Sequence, residues 1–240
     1  MTTYTRDANS GTGPGAITPD GCAVEMYARL PDMGESAVIA SAVAAPRGLR
    51  LLELGAGAGR MTGPLVRSGF RVTAVDESRG MLDRIEDAEL VHAPVEGLDL
   101  GRRFDVVTLA SFLVDAPDPA LRAGLLATCA RHVAADGCVV VQRQHAARQP
   151  DGPPGSGRRV GGGMTLTTTA VEDLGDGVVR HEVHYLFEDP AAGRRMEWTQ
   201  TYYARRMSEP EFAGALAEAG LALDRWLTDR HDWARAVPAR

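Results

Sequence analysis

Apolar and polar positions change in a regular order along the chain from residue 49. "LRLLEL" (49–54) is a short continuous apolar run, which predicts a buried strand. "RMTGPLVRSG" (60–69) reads as a helix that stops at a glycine, and "FRVTAVD" (70–76) as a strand ending in an acid. "SRGMLDRIED" (78–87) predicts a helix capped by Ser78. "AELVHA" (88–93) and "FDVVTLAS" (104–111) predict the third and fourth strands. "DPALRAGLLATCARHVA" (118–134) has helical spacing with Gly137 after its end, and "CVVVQR" (138–143) predicts a fifth strand. Strands that are apolar throughout and alternate with helices predict a parallel sheet covered on both faces, with right-handed crossovers.

The pattern then changes. "RQPDGPPGSGRRVGGG" (148–163) reads as a flexible connection. "MTLTTTAVED" (164–173), "VVRHEVHYLFED" (178–189) and "RRMEWTQTYYARR" (194–206) are rich in Thr, Val and aromatics, and "LGDG" and "PAAG" separate them. They predict a three-stranded antiparallel meander. "SEPEFAGALAEAG" (208–220) is a helix with a Ser208–Glu211 capping box, and "LALDRWL" (221–227) is the last clear strand. The organisation expected is a disordered tail (1–20), a ligand-binding core (21–147), a linker with the meander (148–206), and a helix and strand that complete the core (207–240). The tail is polar, Gly/Pro-rich and without the apolar stretch of a signal peptide.

Charge and composition narrow the function. A net charge of −6 gives no basic face to grip phosphates, so nucleic acid is not expected as a partner. No run of about 18 apolar residues predicts a membrane helix. Cys22, Cys129 and Cys138 are odd in number and lack metal spacing, which points to reduced thiols in the cytoplasm. His181 and His184, three apart on a strand, face opposite sides and cannot chelate together, so no metal is expected.

The chemistry lies in "LLELGAGAGRM" (51–61). A phosphate-binding P-loop needs a lysine, and the chain has none. A dinucleotide fingerprint needs a third small residue where Arg60 or Thr62 stands. The form present is E-x-G-x-G-x-G, and Glu53 would repel a pyrophosphate but suit a cationic ligand. Asp76, 17 residues beyond Gly59 at the end of the next strand, is suited to a ribose diol. A ribose with a cationic part and no phosphate describes S-adenosylmethionine.

"LLELGAGAGR", "VTAVDESRGML", "FDVVTLASFLVD" and "LRAGLLATCARHVAADGCVVV" resemble the successive motifs of class I S-adenosylmethionine-dependent methyltransferases, over roughly residues 24–145. The resemblance implies an α/β, Rossmann-like class I methyltransferase fold with a mostly parallel seven-stranded sheet and helices on both faces. It implies cofactor contacts from Tyr27, Glu53, Gly55, Ala56, Gly57, Asp76, Glu77, Met81, Pro94, Val95 and Ala110. "VHAPVEGL" (91–98) departs from the family, because Pro94 stands where an acid usually meets the adenine; the Val95 N–H remains for the ring. "VRHEVHYLFEDPAAGRRMEW" is similar to the meander of small-molecule N-methyltransferases, including those that dimethylate nucleotide-linked aminosugars. That implies an inserted meander walling a substrate pocket, with Tyr185, Trp198 and Tyr202 as substrate contacts. His145, after the fifth strand, and Asp115, after the fourth, are the candidate catalytic residues, His145 also as a substrate contact. The expectation is a cytoplasmic enzyme, monomer or homodimer, that N-methylates a small molecule in secondary metabolism such as antibiotic biosynthesis. The alternatives are O-methylation of a phenol or carboxylate, and a cofactor-binding scaffold or sensor without transfer.

Overall fold

The computed structural model describes residue 5 and residues 8–144, 155 and 157–239. Its first sheet has seven strands: β2 (Arg50–Leu54), β3 (Arg71–Asp76), β4 (Glu89–His92), β5 (Phe104–Leu109), β6 (Val133–Gln142), β11 (Leu221–Trp226) and β12 (Trp233–Pro238). Their order is β11-β12-β6-β5-β2-β3-β4. The pairs among β2 to β6 are parallel, and β12 and β11 add antiparallel to β6. This is the Rossmann-like class I methyltransferase arrangement, with one more strand than the apolar pattern marks: β12 alternates too weakly to stand out in "WARAVP".

Strand alternation divides the core. Leu52, Leu54, Val107 and Leu109 pack on one face, with α5 (Pro119–His132) and α6 (Glu209–Glu218). Leu51 and Val106 pack on the other, with α2 (Glu35–Ser41) and α3 (Thr62–Arg67). Ser78 caps α4 (Arg79–Leu82) through the Met81 N–H, and Ser208 and Glu211 form their capping box on α6.

The second sheet is the meander, extended at both edges. β8 (Met164–Gly175), β9 (Val178–Asp189) and β10 (Arg194–Arg205) pair antiparallel as expected. β7 (Gly157–Gly161), in the stretch read as a flexible connection, adds beside β8. β1 (Ser10–Thr12) adds beside β10, so part of the expected tail is ordered. Its three residues carry no apolar alternation. They are held by the open edge of β10, by a 2.6 Å bond between the Thr12 and Thr199 hydroxyls, and by the Trp198 Nε1–H donating to Pro14 O at 2.9 Å. Gly11 crosses Gly21 so closely that a Cβ on Gly11 would stand 2.1 Å from the Gly21 carbonyl oxygen.

Candidate functional site

Glycine at 55, 57 and 59 answers three separate demands, all at positive φ. A Cβ on Gly55 would meet Leu113 Cδ1 at 2.4 Å, and one on Gly59 would meet Ile85 at 2.7 Å; both are packing requirements. A Cβ on Gly57 would come within 3.9 Å of the ring of Tyr27, at the end of α1 (Val24–Tyr27), which is ordinary contact. The Gly57 N–H donates to Asp76 Oδ2 at 2.8 Å, while the Ser78 N–H donates to Asp76 Oδ1 at 2.8 Å. The acid that ends β3 thus holds the glycine loop.

Gly55, Gly57, Asp76 and Tyr27 border a cavity of about 350 Å³ at the carboxyl ends of the parallel strands. Gly55, Ala56, Gly57, Asp76, Glu77, Met81 and Val95 line it, and so does Tyr27. Tyr185, Gln200 and Tyr202 from the meander line the same cavity, and so do Asp115 and Gln144. The register makes this inner face: Trp198 pairs with Tyr185, Gln200 with Val183, and Tyr202 with His181. Tyr202 stacks on His181 at 4.8 Å, and burial pushes the His181 imidazole down to about 4, so it stays neutral. His184, on the opposite face, bonds Glu197.

Asp115 closes a single 3-10 turn after β5 and is fully buried. Its Oδ2 accepts the Gln144 N–H at 2.7 Å, and its Oδ1 has no partner among the described residues; neither has Gln144 Oε1. Burial pushes the Asp115 carboxyl up to about 8, against the weaker pull of the Gln144 N–H, Arg143 and Arg122.

Several expected contacts lie elsewhere. Glu53 faces α3 behind the glycine loop, because strand alternation turns it from the cavity. It is fully buried, its Oε2 accepts from the Thr62 hydroxyl at 2.7 Å, and burial pushes it up to about 7. Ala110 packs in the core on that same side, and Pro94 is exposed beside the cavity-lining Val95. Trp198 is 1% exposed and fills the core between the meander and the N-terminal segment, so it is no wall of the cavity. His145 lies outside the described residues.

Other cavity residues carried no marked signal. Ser111 and Phe112 take left-handed φ of 54° and 61°, a conformation that no side chain announces. Gln142 Oε1 accepts the Ser111 N–H at 2.8 Å, and Arg60, paired with Glu35 at 2.5 Å, donates to the Ser111 hydroxyl at 3.2 Å. Phe112 is left 40% exposed at the cavity. Gln200 had a weak signal: a polar residue at the inward parity of Trp198 and Tyr202. Among the described residues no three His, Cys, Asp or Glu side chains gather as a metal site needs, and no helix is long and apolar enough to cross a membrane.

Comparison with known proteins agrees with this geometry. The family described as "Methyltransferase domain" matches residues 35–225. A ubiquinone biosynthesis O-methyltransferase of a Caulobacter species is 36% identical over 108 residues, which are 39% of this chain and 40% of that protein. The matched stretch is thus well under half the length of that relative. The sugar N-methyltransferase KedS8 of a Streptoalloteichus species superimposes with a TM-score of 0.66 at 23% identity, covering 90% of this chain and 88% of that one. CalS10, an amino pentose methyltransferase from Micromonospora echinaspora solved with S-adenosylmethionine bound, gives 0.63 at 24% identity, covering 85% and 89%. At these identities the two structures speak for the fold. The match over most of the chain makes it a member of the methyltransferase-domain family, of the class I kind that uses S-adenosylmethionine as its cofactor.

Proposed function

We propose that the chain methylates a nitrogen of a small organic amine, in secondary metabolism. The observation that carries this reading is a cavity that the glycine loop and the meander border together, with a buried carboxyl in its wall that has one oxygen unpartnered among the described residues. The chain's residues fit the cofactor. The Asp76 carboxylate is pre-oriented by two backbone N–H groups, and a carboxylate, an acceptor at both oxygens, is the group that suits a ribose diol. Met81 and Val95 offer apolar surface for a purine, with the Val95 N–H at its edge. Gly55, Ala56, Gly57 and Tyr27 flank the remainder, with Glu77 beside Asp76. Glu53 supports the loop from behind through Thr62.

The bound cofactor supplies an electrophilic methyl group. The protein's task is then to align the acceptor, exclude water and handle one proton. An amine enters as an ammonium, and Asp115 accepts its proton in the fraction of chains where its own carboxyl is ionised, a fraction that grows as pH rises toward about 8, so that the nitrogen presents a lone pair. A carboxyl held near 8 is a far better base than an exposed aspartate. Tyr185 and Tyr202 wall the acceptor.

O-methylation of a phenol or carboxylate is the second reading, favoured by the name of the curated relative. Labelled cofactor offered with a panel of aminosugars, other amines, phenols and carboxylic acids separates the two. Label is expected in the amines. Label in phenols or carboxylic acids and not in amines supports the second reading, and S-adenosylhomocysteine binding without transfer to any class supports a scaffold or sensor.

A further inference from the structure

Gln200 is a polar side chain at an inward position of β10, 7% exposed, with Gly11 and Val183 as its register neighbours. A buried amide needs partners, and Gln200 joins three. Its Oε1 accepts the Tyr185 hydroxyl at 3.1 Å and the Tyr27 hydroxyl at 3.5 Å, while its Nε2 donates to Cys22 Sγ at 3.4 Å. Cys22 in turn donates to the Tyr27 oxygen at 3.5 Å. All four residues line the cavity. The two tyrosines belong to different elements of one cluster: a Cβ added to Gly57 would stand 3.9 Å from the Tyr27 ring, at the end of α1, and Tyr185 stands on β9 of the meander.

We infer that Gln200 is a positioning residue that couples the two halves of the cavity. A ligand beside Gly57 restricts the Tyr27 ring, the Tyr27 hydroxyl fixes the Gln200 amide, and the amide fixes the Tyr185 hydroxyl toward the acceptor. Cofactor binding thereby orders the acceptor wall before the acceptor arrives. The path is contiguous and made of named hydrogen bonds, and the coupling free energy along it is what the exchange experiment reads. The inference rests on the cofactor placement proposed above.

Amide hydrogen exchange on the full chain, with and without S-adenosylhomocysteine, tests it without knowledge of the acceptor. In the native chain the ligand is expected to slow exchange at residues 55–59 and also along 183–187 of β9, the latter by roughly two- to tenfold, as one hydrogen bond's coupling would give. Gln200→Leu is expected to keep the first effect and lose the second. Tyr185→Phe, which keeps the ring and removes only the hydroxyl, is expected to do the same and decides the matter if Gln200→Leu folds poorly. Slowing at 55–59 without slowing at 183–187 in the native chain overturns the coupling alone, and so does β9 protection that survives in Tyr185→Phe. Absence of slowing at 55–59 in the native chain overturns the cofactor placement and the coupling with it.

Discussion

Asp76 ends β3 and Asp115 closes the turn that follows β5, and their surroundings set the two acids apart. Asp76 is half-buried and accepts two backbone N–H bonds. Asp76→Ala is expected to weaken S-adenosylhomocysteine binding more than about tenfold, since each bond to a charged group is worth about 1.5–3 kcal/mol. Titration calorimetry reads this, and an unchanged Kd removes Asp76 from the ribose. Asp115 is fully buried, and its folded-state value of about 8 stands above its ordinary 3.8. Between those limits the native chain binds more protons than the unfolded chain, so unfolding free energy falls as pH rises through the window. Glu53 acts in the same sense between 4.5 and about 7. Asp115→Asn is therefore expected to flatten the decline of Tm with pH up to about 8. It should also lower turnover by about 10²–10⁴ with cofactor affinity unchanged, the usual range for a lost general base. A variant with the native Tm profile and native turnover would show that Asp115 is neither a buried titrating group nor a base.

Among the elements, the parallel strands and the meander were legible because burial writes itself into the chain: continuous apolar runs for strands covered on both faces, alternation for a sheet with one face wet. The candidate site was legible where backbone chemistry demands a residue type, as at Gly55, Gly57 and Asp76. It was not legible where tertiary contact decides. "WTQTYY" does not say that Trp198 meets Pro14 while Tyr202 meets the cavity, since both have the same parity. Nor do polar residues 10–12 reveal a strand whose partner lies at the other end of the sequence. The two aromatics should separate in experiment. Trp198→Ala is expected to lower unfolding free energy by about 3–5 kcal/mol in denaturant titration, as for other large core truncations. Tyr202→Ala is expected to act mainly on the acceptor KM. Equal stability losses from both would assign Tyr202 to the core as well.

At the scale of the whole molecule, two sheets share one cavity, and the N-terminal segment holds them together. Gly11→Val has no room against the Gly21 carbonyl, so β1 is expected to leave β10 and residues 8–20 to become a site of rapid limited proteolysis. Resistance equal to that of the native chain would show that β1 docks without that close crossing. The same pairing also bears on how the chain acquires its shape. Thr12 and Thr199 are 187 residues apart, so the edge strand cannot dock until almost every other strand exists. Contacts of such separation form late, after local helices and hairpins. A refolding chain should regain the circular dichroism of its sheets before it regains a closed cavity. A chain still emerging from the ribosome can complete β2 to β6, with their glycine loop, long before it acquires the wall that encloses a ligand.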